Sequence, residues 1–332
     1  MTIVHLSLPS QDVKSDRTSQ MGADLSLCAI TTYFNPMGYE SRLRNYHLFR
    51  QKLTVPLVTV ELGYGGRFDL KPEDADILLQ VEGDSILWQK ERLMNLALGK
   101  VPKYMRFIAW LDSDVVFDRQ DWASRVINRL RNVPLIQTYS QLYRLERNIM
   151  PEDVHNQPVH PTRSASVFLI KKKSSLASNL HHATTIKLRQ GSVGFGWAAR
   201  RDLLEQHGFY DGMIIGGGDF VMACAAYGRF DEAISETCLN ERRAAHYLAW
   251  ARPFFEQVRG RVDCINGRIF HLWHGDVKDR QYRQRHVEFA KLNFDPFNDI
   301  TITKQGCWRL KGRNNRLKMH LKAYFISRKE DG

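Results

Sequence analysis

Two aspartates one residue apart, Asp112 and Asp114, close the run Phe107-Ile108-Ala109-Trp110-Leu111. Five apolar residues of this kind read as a strand covered on both faces, and in open α/β sheets ligands bind beyond the carboxyl ends of such strands. Two carboxylates about 4 Å apart at an effective dielectric near 20 repel by roughly 4 kcal/mol. A divalent cation removes that repulsion, and oxygen ligands suit Mn²⁺ or Mg²⁺. A cation so held would also bridge a diphosphate and stabilise the charge on a leaving phosphate. Asp112 and Asp114 are therefore candidate metal ligands. The plain alternative is a solvated acidic turn.

His271 and His274 lie near the end of another apolar run, residues 267–275. Imidazoles there add further candidate ligands to the same cation. Positions three apart in a strand face opposite sides, so both reach one ion only if the chain turns between them. Gly275 places a turn just after His274, which ranks His274 above His271. Gly216-Gly217-Gly218-Asp219 is the third constellation. Its glycines allow close backbone approach to a substrate. Asp219 either caps the apolar helix that follows or takes the proton of a reacting hydroxyl as general base. Asp211 is a weaker candidate for that role. Arg42, Arg44 and Lys90 are candidate phosphate contacts, although charges on a helix such as Lys90, Glu91 and Arg92 more often cover a solvated face.

The elements that must position these residues follow from periodicity. Strands are expected at 25–30, 57–62, 76–81, 107–111 and 133–137, and helices at 40–52, 87–98 and 121–131. Alternation at this pitch predicts an α/β fold, Rossmann-like, with a mostly parallel central sheet flanked by helices in a single domain. Residues 151–190, rich in Pro, Ser, Thr and His, read as irregular binding loops or lids. Helices are expected again at 200–207, from Asp219 onward, and within 232–258.

Composition narrows the class. The chain has 332 residues, 43% hydrophobic and 25% charged, as in an ordinary globular protein. No apolar run approaches the roughly 18 residues of a membrane span, and residues 1–23 are polar, so a cytoplasmic location is expected. The five scattered cysteines read as free thiols. Net charge is +12, with nine Lys or Arg and no acid between Lys304 and Lys329. Such a surface favours phosphate-bearing partners: nucleotides, anionic lipid or nucleic acid. Neither G-x-x-x-x-G-K-[ST], G-x-G-x-x-G nor G-x-S-x-G occurs, which argues against P-loop, dinucleotide-binding and serine-hydrolase chemistry.

The ordered set of residues 29–36, Asp112-Ser113-Asp114, Gly196-Trp197-Ala198-Ala199-Arg200-Arg201, Gly216-Gly217-Gly218-Asp219 and His271/His274 resembles the GT-A glycosyltransferases over about residues 25–298. The resemblance implies a GT-A domain over about 24–300, between a polar tail (1–23) and a basic segment (301–332). It implies metal-dependent transfer of a sugar from a nucleoside diphosphate sugar, a UDP-sugar first, to a hydroxyl of a glycan or lipid-linked saccharide. Thr31, Thr32 and Tyr33 would contact base and ribose, Asp112 the ribose or metal, and Asp114 the metal. The 216–219 stretch is similar to the Trp-Gly-Gly-Glu-Asp segment of β-1,4-galactosyltransferases, whose acid faces the acceptor and whose late metal ligands are a Met and a His three apart. Asp219 as base implies an inverting outcome, although this chain has one acid where that family has several. Two alternatives accompany this reading. One is glucosylation of hydroxymethylated DNA, motivated by the basic C-terminus and Lys171-Lys172-Lys173. The other is a non-enzymatic module whose helix, with Leu317, Leu321, Tyr324 and Phe325 on one face, binds nucleic acid or a membrane surface.

Overall fold

A computed structural model describes residues 26–155, 161–177, 186–312 and 314–332. The polar tail assigned to residues 1–23, and Leu25 at the start of the first expected strand, lie outside them.

The chain runs β1 (Leu27–Phe34), α1 (Glu40–Lys52), β2 (Leu57–Tyr64), β3 (Ile77–Gly83), α2 (Lys90–Leu98), β4 (Phe107–Leu111), β5 (Val115–Phe117), α3 (Trp122–Leu130), β6 (Leu135–Gln137) and β7 (Gln141–Arg144). It continues through α4 (Pro151–His155), β8 (Arg163–Ser164), α5 (Ser166–Ala177), β9 (Gly196–Arg200), α6 (Arg201–His207), α7 (Gly218–Ala226), α8 (Phe230–Glu236) and α9 (Glu241–Val258). It closes with β10 (Val262–Cys264), β11 (Arg268–His271), α10 (Gln284–Ala290), β12 (Ile300–Ile302), β13 (Trp308–Leu310) and α11 (Asn315–Ser327).

Seven strands form the central sheet in the order β10-β6-β9-β4-β1-β2-β3. All neighbours are parallel except β9, which is antiparallel to both β4 and β6. The α/β class and the mostly parallel sheet expected from the sequence are what the structure has. Every residue of β1 and β4 is buried, because helices cover both faces. Alternation sorts the side chains: Cys28 and Ile30 join the core under α2, α6, α7, α9 and α11, while Leu27, Ala29 and Tyr33 join the core under α1 and α3.

The expected irregular stretch 151–190 needs correction. It holds α4 and α5, with 156–160 and 178–185 outside the described residues. Ser166 and Val167 are buried and tie α5 to the sheet, the Val167 N–H donating to Gln137 Oε1 at 3.2 Å. The sequence of α5 hides the helix because Val167-Phe168-Leu169-Ile170 stand in one block followed by Lys171-Lys172-Lys173, which leaves little helical period.

A second sheet, β5-β11-β7-β8, stands at the carboxyl end of β4. It is the device that assembles the site, since its register sets His271 opposite Val115, one residue beyond Asp114. The C-terminal helix α11 packs on the main core, with Leu317, Leu321, Tyr324 and Phe325 at most 5% exposed. The face that the alternative reading offers to a membrane or nucleic acid is thus spent on the protein's own interior. Lys171, from the basic run, pairs with Asp263. No described helix is long and apolar enough to cross a membrane.

Candidate active site

A cavity of about 310 Å³ opens where β1 and β4 end, walled by α2, the turn before α7, the loop before β9 and the last residues of the chain. Asp112, Asp114, Lys90, Asp219, His271 and His274 all line it.

Asp114 and the two histidines meet. His274 Nε2 is 2.9 Å from Asp114 Oδ2, His271 Nε2 is 3.7 Å from Asp114 Oδ1, and the two ring nitrogens are 3.0 Å apart. Strand alternation alone would have sent the histidines to opposite sides. However, β11 ends at His271, and the Leu272 N–H donates to Asp114 O at 2.8 Å as the chain turns. Gly275 follows at φ +85°, and a Cβ there would come within 2.7 Å of Lys329 O, so only glycine lets the C-terminus close over this turn.

These three side chains suit a divalent cation. Their ligand atoms lie within 4.8 Å of one another, and Asp114 Oδ1 is buried without a hydrogen-bond partner. The two shorter separations match the edge of an octahedron with bonds of about 2.1 Å, which is roughly 3.0 Å. Burial pushes the His271 imidazole well below its ordinary range, leaving it neutral with a lone pair to give. Burial alone would raise the Asp114 carboxyl, but neighbouring groups led by His274, 2.9 Å away, outweigh it and hold it well below the usual range.

Asp112, expected as a further ligand, is not part of this group. Its carboxylate lies 2.5 Å from Lys90 Nζ, and the same ammonium is 2.8 Å from Asp219 Oδ2. Burial works against the Lys90 charge, yet Asp112 and Asp219 raise its pKa well above the usual value. Lys90 is therefore a buried bridge between two acids, and its ammonium is engaged before any phosphate arrives. Its neighbour Glu91, read as a solvated charge, is 5% exposed in the same wall. Burial, reinforced by Asp219 and opposed by Lys90, pushes its carboxyl up to about 8.

Asp219 does not cap α7. The N-cap is Gly217 at φ +101°, with no side-chain cap bond, and the Asp219 carboxylate faces the cavity instead. Asp211 lies off the cavity, its carboxylate taken by Arg92 and Asn95, both at 3.3 Å. Thr31 and Thr32 line the cavity, with the Thr31 hydroxyl donating to Leu111 O at 2.7 Å. Tyr33 is not among the cavity's lining residues; its hydroxyl donates to Asp69 at 2.9 Å and its ring packs edge-on to Tyr46. Arg42 lines the cavity but is ion-paired at 2.8 Å to Glu330. Arg44 is exposed and off the cavity wall.

Glu330 went unread in the sequence. It is 1% exposed and gathers Arg42, Arg280 (3.8 Å), Arg328 (2.5 Å) and His274 Nδ1 (3.4 Å). Arg280 Nη2 lies closer still to His274 Nδ1, at 2.7 Å, so Glu330 and Arg280 together orient the ring from behind. The available signal was weak: an acid closing a strongly basic tail.

No protein-family model matches this sequence, and no curated protein matches it. Among solved structures it is similar to glucosyl-3-phosphoglycerate synthase of Mycobacterium tuberculosis in complex with Mn²⁺, UDP and phosphoglyceric acid (12% identity, 80% of this chain and 78% of that one, TM-score 0.37). It is similar to a mannosyltransferase of Pyrobaculum calidifontis in complex with GDP-Man and Mn²⁺ (15%, 91% and 85%, 0.34). It is also similar to a Drosophila β-1,4-galactosyltransferase 7 mutant with manganese, UDP-Gal and xylobiose (11%, 89% and 98%, 0.37). Likeness at this level leaves the functional reading to the geometry of the site.

Proposed function

We propose that this chain is a metal-dependent glycosyltransferase of GT-A type, transferring a sugar from a nucleoside diphosphate sugar, UDP-linked first, to an acceptor hydroxyl. The observation that carries the reading is the meeting of Asp114, His271 and His274 at the carboxyl end of β4, inside a cavity large enough for a ligand. A divalent cation held by these three supplies positive charge where the departing diphosphate becomes more negative.

The remaining work falls to the chain's own groups. Thr31 and Thr32 at the end of β1 border the space for the nucleoside. Asp219, presented by Gly216-Gly217-Gly218, accepts the proton of the acceptor hydroxyl, and attack from that side gives inversion. Lys90 holds Asp112 and Asp219 in place by pairing its one ammonium with both carboxylates. The reading is tested by UDP-sugar hydrolysis with and without Mn²⁺, for wild type and Asp114→Asn. Wild type is expected to require Mn²⁺ and the variant to lose most activity. Equal rates in all four conditions would remove the metal from the reading.

A further inference from the structure

The cavity has a second, cationic end. Arg189, Arg285 and His286 line it beside Gly217, the residue two before Asp219. Arg285 is 7% exposed; its Nη1 donates to the Tyr324 hydroxyl at 2.5 Å, and its Nε has no hydrogen-bond partner. His286 is 1% exposed, and its Nδ1 is likewise unpartnered. Arg189 lies over the Phe220 ring and meets Glu236 at 3.1 Å. Behind them Arg243 is 2% exposed, with Nε and Nη2 unpartnered. Among the described residues, Glu236 is the one carboxylate ion-paired to any of these four.

The contrast with the metal end is informative. There Arg42, Arg280 and Arg328 each lie within 4 Å of the Glu330 carboxylate, whereas here Arg285 and Arg243 meet no carboxylate among the described residues. Buried guanidinium groups without such compensation cost several kcal/mol each, unless an anion joins them. Their planar forks match phosphate or carboxylate oxygens two at a time. Gly216 and Gly217 keep this end open: a Cβ on either would come within 3.3 Å of Arg285 or 3.0 Å of His286.

We propose that Arg285 and Arg189, with His286, form a seat for an anionic group carried by the acceptor, a phosphate or a carboxylate, so that the acceptor is a charged hydroxyl compound. The word acceptor rests on the glycosyltransferase reading, through the adjacency to Asp219. The seat itself rests on Arg285, whose Nε is unpartnered and which meets no carboxylate among the described residues, and on the unpartnered Nδ1 of His286.

Calorimetric titration of the full chain with inorganic phosphate and with acetate tests this, each with and without saturating UDP and Mn²⁺. Wild type is expected to bind at least one of the two anions equally well in both conditions, and the preferred anion separates a phosphate ester from a carboxylate. Arg285→Met and Arg189→Met are each expected to weaken that binding by about tenfold or more, with UDP–Mn²⁺ affinity unchanged. Arg285→Lys keeps the charge but loses the fork, so it is expected to bind more weakly than wild type even if the Met variant fails to fold. Displacement of the anion by UDP, or loss of UDP affinity in the variants, would assign these arginines to the donor and overturn the proposal, as would a wild type that binds neither anion. If the anion binds and UDP with Mn²⁺ does not, the seat stands and the glycosyltransferase reading falls.

Discussion

Glu91 offers a direct measurement of how strongly the cavity wall disfavours charge. Its carboxyl is 5% exposed, lies in the first turn of α2 and is pushed up from 4.5 to about 8, chiefly by burial. Between these values the unfolded chain has released the proton while the folded protein still holds it. Fewer protons bound on unfolding means that stability falls as pH rises, by about 1.4 kcal/mol per unit. Glu91's contribution is therefore fullest below about pH 4.5, lost progressively up to about pH 8, and flat beyond. At pH 7 the accumulated loss is about 3 kcal/mol, order of magnitude only. Glu91→Gln has nearly the same shape and cannot ionise, so it removes this loss. Urea unfolding of metal-free wild type and Glu91→Gln, at intervals from about pH 5 to 9, is expected to show near-equal stability at the acid end. The variant should pull ahead by about 3 kcal/mol at neutrality and hold a constant lead above about pH 8. Parallel curves would refute the reasoning, because they would mean the carboxyl ionises as easily in the folded wall as in water.

Two further outcomes follow from the same packing. Glu330→Gln leaves Arg42, Arg280 and Arg328 buried without their common anion, and a loss of about 3–5 kcal/mol is expected at neutral pH by thermal or urea unfolding. Burial opposes the Glu330 charge but Arg42 and Arg328 outweigh it, holding its carboxyl well below the usual range; the deficit of the variant should therefore shrink as acid protonates the wild type. Gly218→Ala would drive a methyl group into the Glu91 carboxylate, at a cost of about 1–3 kcal/mol. Truncation in Glu91→Ala/Gly218→Ala should recover most of that loss in a double-mutant cycle, and additive losses would show that the clash lies elsewhere.

What could be read without coordinates was what local period and chain chemistry determine. The bounds of α1 and β4 coincide with those expected, because apolar residues at helical spacing and a run buried on both faces each leave a local imprint. The turn after His274 was legible in Gly275. The joint use of both histidines was not, since it depends on β11 ending at His271 and on its pairing with β5, a contact between distant parts of the chain. Lys90 and Glu91 resembled solvated helix charges for a related reason. Nothing in their own stretch shows that the turn before α7 covers them. Glu330 was harder still, because the groups that give it meaning come from α1, the segment after β11 and the chain's last residues.

The electrostatic argument from the acidic pair holds in a revised form. Sequence reasoning placed one divalent ion between Asp112 and Asp114 to relieve their repulsion. In the structure the two charges are met separately, Asp112 by the Lys90 ammonium at 2.5 Å and Asp114 by the imidazoles of His271 and His274. The separation has a mechanical use. Because Lys90 also holds Asp219, the candidate metal ligand Asp114 and the acid proposed as base have different immediate partners. In this arrangement Lys90, rather than the metal, keeps Asp112 and Asp219 in register with each other.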